Sequence, residues 1–145
     1  MRHLSATGPR ARPRRRYADA SALIKLVVDE PESEALAVYV GEAPRLSSSR
    51  LAIVEVLRAV KVATADRGAH QEAARLLEAC DLVDVSAGLL RDAARLASTA
   101  LRTLDAIHLA TIVRAEPDEV VAYDRRLVAA ARELGYAVAH PGAEL

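Results

Sequence analysis

Apolar and polar residues follow two alternating periods along the chain. Short segments that could form strands occur at 17–19, 45–48, 82–85, 119–123 and 137–139. Longer stretches with the periodicity of helices lie between them, at 21–28, 33–40, 51–65, 70–80, 88–100, 103–115 and 125–134. This alternation predicts a single-domain α/β fold, with a parallel central sheet and helices on both faces. The sequence shows no internal repeat and no second domain.

Single residues indicate where some of these helices begin and end. Pro31 should end the first helix, because the residue before proline is driven out of helical geometry. Gly68 is expected to stop the third helix, since glycine is common just after a helix C-terminus. Thr103 is a plausible N-cap of the sixth helix.

The composition indicates a folded domain and excludes several classes of protein. Of the 145 residues 52% are apolar, with no Trp and no Phe, so the core should consist of Leu, Val, Ile and Ala. The one cysteine, Cys80, cannot form an internal disulfide, and no Cys/His cluster indicates zinc. No apolar run approaches the roughly 18 residues that span a membrane, and no signal peptide is evident. We therefore expect a soluble, cytoplasmic protein with no membrane partner.

Charge is distributed unevenly, although the formal net charge is zero. Residues 1–16 contain six arginines and no acid, whereas residues 17–145 contain 14 basic against 20 acidic side chains, a net charge of −6. We expect residues 1–15 to form a flexible basic tail and residues 16–145 to form the domain. Because a central strand cannot easily bury arginines, the first strand should be short.

Four acidic residues occupy positions typical of a functional site. Asp19 and Asp124 each follow a predicted strand, and ligands of open α/β sheets bind outside the carboxyl ends of strands. Asp105 lies in the first turn of a helix, and Glu55 lies within an apolar helical run. Ordinary structural roles are open for each: a helix cap for Asp124, a favourable helix dipole for Asp105, and an Asx turn with Ser21 for Asp19. Glu55 needs a partner, a metal or access to water.

If the four carboxylates meet, their mutual repulsion calls for a divalent cation. Oxygen ligands without His or Cys suit Mg²⁺ or Mn²⁺, and such ions bind phosphate oxygens and activate water. The residues alone therefore indicate an acid-lined α/β site for phosphate chemistry.

Four segments, in this order, resemble the PIN-domain family and in particular its VapC-type toxins. They are DASALIKL at 19–26, SRLAIVEVLRA at 49–59, LRTLDAIHLA at 101–110 and YDRRL at 123–127. The resemblance covers residues 16–141 and implies a PIN-like, Rossmann-like fold. It implies that Asp19, Glu55, Asp105 and Asp124 bind Mg²⁺ or Mn²⁺ and that the Ser21 hydroxyl helps position metal, water or phosphate. It further implies an endoribonuclease toxin that acts on RNA through an activated water, forms a homodimer and is inhibited by a cognate antitoxin.

Two other functions remain open at this point. One is a catalytically silent PIN-like binding module, although all four acids are present. The other is a different acidic-site phosphohydrolase, although the only lysines, Lys25 and Lys61, do not follow a late strand and Asp19 begins no Asp-x-Asp motif. The net negative charge of residues 17–145 is also unusual for an RNA-binding protein.

Several further residues have both a structural and a functional interpretation. His108 is more commonly a hydrogen-bonded structural histidine than a metal ligand or general acid. The arginines 102, 125 and 126 either contact phosphates or solvate helices. The first two helices carry more apolar residues than their own packing needs, which favours either ordinary core packing or a groove for a partner peptide: Leu23, Leu26, Val27, Leu36, Val38 and Val40.

Overall fold

Short strands alternate with helices along the computed structural model, which describes residues 13–42 and 44–145. The strands are β1 (Arg16–Ala18), β2 (Leu46–Ser49), β3 (Asp81–Val83), β4 (Glu119–Val121) and β5 (Ala137–Ala139). The helices are α1 (Ala20–Lys25), α2 (Ser33–Val40), α3 (Ala52–Ala63), α4 (Arg67–Ala79), α5 (Ala87–Ala94), α6 (Thr103–Ala115) and α7 (Arg125–Glu133). The predicted tail over residues 1–15 falls mostly on residues 1–12, which lie outside the described residues.

The five strands form one parallel sheet in the order β3-β2-β1-β4-β5. The chain runs outward from β1 to β3 on one side and then returns to place β4 on the other side of β1. The strand order therefore reverses between β1 and β4. In open α/β sheets, ligands bind outside the carboxyl ends of the strands at such a point. The predicted α/β fold with a parallel sheet is confirmed.

Helices cover both faces of the sheet, and paired residues of β1 and β4 contribute to the same face. Tyr17 pairs with Val120, and both belong to a core cluster with apolar residues of α6 and α7. Ala18 pairs with Val121, and both belong to a second cluster with residues of α1, α2, α3 and α4. Apart from Tyr17, these buried side chains are Leu, Ile, Val and Ala, as the composition predicted.

The basic start of β1 is neutralised by a buried carboxylate. Glu119 is only 5% exposed and pairs in register with Arg16, whose Nε lies 3.2 Å from Glu119 Oε1. The Tyr39 hydroxyl donates to the same carboxylate at 2.7 Å, and Arg14 lies 3.5 Å from it. β1 is three residues long, in agreement with the expectation that it could not extend further into the arginines.

Several predicted helix boundaries were wrong. The third helix ends at Ala63, before Gly68, because Thr64 is extended and the Asp66 side chain caps the next helix by accepting from Gly68 N at 3.2 Å. The fifth helix ends at Ala94 rather than at residue 100, and beyond it Leu96 packs against the core of α6 and α7. Thr103 is the first helical residue of α6, and Arg102 is its N-cap.

Other elements are also shorter than predicted. The first helix ends at Lys25 rather than at residue 28, and β4 ends at Val121 rather than at residue 123. No helix in the described part of the chain is long and apolar enough to cross a membrane.

Candidate active site

Asp19 and Ser21 lie where the strand order reverses. Asp19 follows β1 directly, and its N–H donates to Val121 O of β4 at 3.2 Å. Its carboxylate caps α1: Oδ1 accepts from Ala22 N at 3.0 Å and from Ser21 Oγ at 2.6 Å. Ser21 Oγ in turn accepts from Tyr123 N at 3.1 Å. The Asx-type turn considered from the sequence is therefore present. Ser21 also connects the segment that follows β1 with the segment that follows β4.

The Asp19 carboxylate is buried and costly to ionise. Its residue is 4% exposed, and burial raises the pKa of Asp19 from 3.8 to about 6. The hydrogen bond from Ser21 and the nearby His108 oppose this rise in pKa, whereas the negative charge of Glu55 adds to it. A cation at this place would favour the ionised form.

Glu55 has a protein partner, which the sequence did not identify. It lies in the first turn of α3 with its side chain 21% exposed, and its Oε1 is 2.7 Å from Nε2 of His108 on α6. His108 is 3% exposed, and its Nδ1 is 2.6 Å from the hydroxyl of Tyr17 in β1. A hydrogen-bonded, buried His108 agrees with the structural interpretation of that residue.

Negative charge surrounds His108. Burial alone would lower the pKa of His108 below 6.5. The hydrogen bond and charge of Glu55, followed by the charges of Asp19 and Asp105, outweigh burial and raise the pKa. Three of the four acids singled out in the sequence therefore affect the pKa of His108.

Asp105 and Asp124 occupy the first turns of α6 and α7. Asp124 is the N-cap of α7, and its Oδ1 accepts from Arg126 N at 3.0 Å and Leu127 N at 3.1 Å. Asp105 Oδ2 accepts from Arg102 N at 3.4 Å. Burial and then the negative charge of Asp124 raise the pKa of Asp105. Both acids thus stabilise helix ends, and they also repel each other.

The four acids interact electrostatically as two pairs with His108 between them. Asp19 interacts with Glu55, Asp105 interacts with Asp124, and His108 interacts with Glu55, Asp19 and Asp105. Among residues 13–42 and 44–145, however, no three His, Cys, Asp or Glu side chains form a group that could hold a metal ion. Coordination by three or more of them would require side chains to move closer.

The donor chemistry of this site fits a hard divalent cation. Both hydrogen bonds that Asp19 accepts from described residues end on Oδ1. Neither of these hydrogen bonds occupies the second carboxylate oxygen, Oδ2. Carboxylate oxygens suit Mg²⁺ and Mn²⁺, and a bound cation would oppose the rise in pKa that burial and a neighbouring acid cause at Asp19 and Asp105.

A separate cleft of about 500 Å³ lies at the opposite, amino edge of the sheet, and Arg45 is among its lining residues. It also includes Arg14 and Arg16, which pair with Glu119. None of the four acids lines it. The four acids therefore lie outside this cleft.

The sequence predicted that Tyr17 lies in a strand but did not indicate a role for its side chain. A tyrosine in a buried strand needs a partner for its hydroxyl, and this requirement was the available signal. Its partner, His108, is 91 positions away along the chain, so only the fold identifies the contact. The proposed phosphate contacts of arginines 102, 125 and 126 stay predictions; all three residues are exposed.

Comparisons with known proteins agree with this architecture. A sequence profile of the PIN domain matches residues 16–133. The chain is 43% identical over 129 residues to ribonuclease VapC46 of Mycobacterium tuberculosis, covering 86% of this chain and 96% of that protein. It is 35% identical over 133 residues to ribonuclease VapC47 of the same species, covering 88% and 97%.

Solved structures share the fold at lower sequence identity. The crystal structure of Mycobacterium tuberculosis VapC20, a toxin described as cleaving the sarcin-ricin loop, aligns with a TM-score of 0.68 at 19% identity, covering 87% of this chain and 99% of that one. A toxin–antitoxin complex from Klebsiella pneumoniae aligns with a TM-score of 0.66 at 19% identity, covering 89% and 98%. The profile match and the two relatives show that the chain belongs to the PIN-domain family, in its VapC-type group.

Proposed function

We propose that this protein is a metal-dependent endoribonuclease toxin whose site is formed by Asp19, Glu55, Asp105 and Asp124. The observation that carries the proposal is the buried Asp19, whose pKa burial raises, at the point where the strand order reverses and within electrostatic reach of a second acid. The full-length similarity to proteins named ribonucleases supports RNA as the substrate.

The four carboxylates would hold Mg²⁺ or Mn²⁺, which supplies an activated water and stabilises a leaving oxygen of the RNA phosphate when it is bound. Asp19 is oriented for this role by Ser21 and the Ala22 N–H, which both bind Oδ1. Asp124 is fixed by two backbone N–H donors of α7. Ser21 helps to position metal, water or phosphate beside Asp19.

A cognate antitoxin would restrain such an enzyme. One structural relative is described as a toxin–antitoxin complex. Of the apolar residues on α1, α2 and the turn between them, Leu23 and Leu36 are fully buried in the core, whereas Leu26 and Val27 are half-buried and Val38 is 78% exposed. The antitoxin would lie along this second subset and direct an Arg or Lys toward the acids, where a guanidinium suits carboxylates. A homodimer and a cytoplasmic location complete the proposal.

RNA cleavage tests the proposed activity directly. Purified wild-type protein, Asp19→Asn, Asp105→Asn and an Asp29→Asn control should be incubated with total RNA in Mg²⁺, Mn²⁺ or EDTA. Asp29 is exposed in the loop after α1, so its variant should cut like wild type. Loss of a metal ligand should reduce cleavage by at least about 100-fold, since removing an outer-shell partner alone costs 10–100-fold.

The other outcomes distinguish the alternatives. Cleavage by Asp19→Asn at the wild-type rate would place the activity in other residues or in a contaminant. No cleavage by the wild type, with metal still bound, would favour a silent binding module. Release of phosphate from small phosphoesters without RNA cleavage would favour another phosphohydrolase.

A further inference from the structure

A chain of polar contacts runs from the central strand to the acidic site. The Tyr17 hydroxyl is 2.6 Å from His108 Nδ1, and His108 Nε2 is 2.7 Å from Glu55 Oε1. Tyr17 is fully buried and His108 is almost so, and their rings meet edge to face with centroids 6.0 Å apart. β1, α6 and α3 each supply one member, so the contacts join three elements that are distant in sequence.

The direction of these hydrogen bonds follows from the groups involved. An ionised carboxylate only accepts, so His108 Nε2 must carry the proton and donate to Glu55. When the ring is neutral, Nδ1 accepts the Tyr17 O–H proton, which fixes both the tautomer and the ring orientation. Packing of the tyrosine in the sheet thus determines where the Nε2–H points.

This donor limits the positions that the Glu55 carboxylate can adopt. Among the side chains of residues 13–42 and 44–145, only His108 hydrogen-bonds the Glu55 carboxylate. Its helical neighbours Ile53 and Val54 are exposed and apolar and offer no hydrogen bond. Since His108 binds Oε1, the second oxygen, Oε2, stays available to a ligand.

We propose that His108, oriented by Tyr17, is a positioning residue that fixes the Glu55 carboxylate and thereby sets the affinity of the acidic site for a divalent cation. This inference rests on the proposed function. Outer-shell partners of ligating side chains typically change metal affinity by about 10–100-fold.

Two substitutions of the same residue separate positioning from general packing. His108→Gln keeps an N–H donor close to the place of Nε2, whereas His108→Asn places its amide nearer to Nδ1, toward Tyr17 and away from Glu55. His70→Gln is a matched control, because His70 on α4 also makes a ring hydrogen bond, to Thr64 O at 3.0 Å, outside the site. Tyr17→Phe removes the orienting hydroxyl but leaves the imidazole.

Binding of Mn²⁺ to the full-length proteins, measured by isothermal titration calorimetry, provides the test. His108→Asn should bind Mn²⁺ at least about 10-fold more weakly than wild type, His108→Gln within about threefold of it, and Tyr17→Phe between the two. His70→Gln should bind like wild type. Urea unfolding of each metal-free variant should confirm that it is folded, and long-range ¹H–¹⁵N spectra of the wild type should show a protonated Nε2.

The outcomes separate this inference from the proposed function. Wild-type affinity in both His108→Asn and Tyr17→Phe would overturn the positioning role, and so would equal weakening in the Gln and Asn variants or an unprotonated Nε2. If Asp19→Asn still loses Mn²⁺ in that experiment, the proposed metal site stands without His108. Absence of Mn²⁺ binding by the wild type would overturn both.

Discussion

Replacing Asp19 with asparagine should stabilise the metal-free protein at neutral pH. Asparagine keeps an oxygen to accept from Ser21 and the Ala22 N–H, and it is as good an N-cap as aspartate. What it removes is a buried charge. Because burial raises the pKa of Asp19 from 3.8 to about 6, ionising it in the folded state lowers the free energy of unfolding by about 3 kcal/mol.

The effect should depend on pH with a definite sign. Below about pH 4 the carboxyl is protonated in both the folded and the unfolded chain, so wild type and variant should be equally stable. Between about pH 4 and pH 6 the unfolded chain ionises first, and the wild type loses stability as pH rises. Above about pH 6 the loss is complete, and Asp19→Asn should be more stable by up to about 3 kcal/mol.

Urea unfolding in EDTA, followed by circular dichroism because the chain has no Trp, measures this difference. The exposed Asp29→Asn variant is the control and should match the wild type at every pH. Two results would refute the argument that the buried charge of Asp19 lowers the free energy of unfolding. One is a stability difference that does not change between pH 4 and pH 8, and the other is an Asp19→Asn variant that is less stable than the wild type at pH 8.

Three further results are expected. Mn²⁺ at about 100 times its dissociation constant should stabilise the wild type by about 2.7 kcal/mol and Asp105→Asn much less, so equal stabilisation in thermal unfolding would locate the metal elsewhere. Tyr39→Phe removes a hydroxyl that donates to buried Glu119 and should lower the free energy of unfolding by about 2 kcal/mol; a negligible change in urea unfolding would show that the arginines suffice. Val38→Asp, at a side chain 78% exposed, should weaken capture of a co-expressed antitoxin without changing the melting temperature or RNA cleavage, and undiminished capture would contradict the proposed surface.

The sequence predicted those features that depend on local pattern. Alternating periods gave the order of strands and helices, and Asp19 and Asp124 could be placed at strand ends because each follows a short apolar run. Helix ends were less predictable. Gly68 resembles a stop signal, yet the Asp66 side chain accepts from Gly68 N and begins a new helix two residues earlier, so the glycine lies in the first turn of α4. Likewise, α5 ends early and the chain beyond it brings Leu96 to the core.

The candidate site was only partly accessible from sequence for the same reason. The types of its acids indicated a cation, but their spacing says nothing about which acids face each other. The grouping of Asp19 with Glu55 and of Asp105 with Asp124 depends on the strand order, in which β4 lies beside β1. The contact of His108 with Glu55 spans 53 positions and likewise follows from the fold.

The central claim is that the acids at the carboxyl edge of the sheet hold the metal used for RNA cleavage. Anomalous diffraction from crystals soaked in Mn²⁺ tests it most directly. We expect an anomalous peak within coordination distance of Asp19 and at least one of Asp105, Asp124 and Glu55, and no peak there in Asp19→Asn crystals. A peak elsewhere in crystals of a protein that cuts RNA with Mn²⁺, such as one at the arginine-lined amino edge, would contradict it.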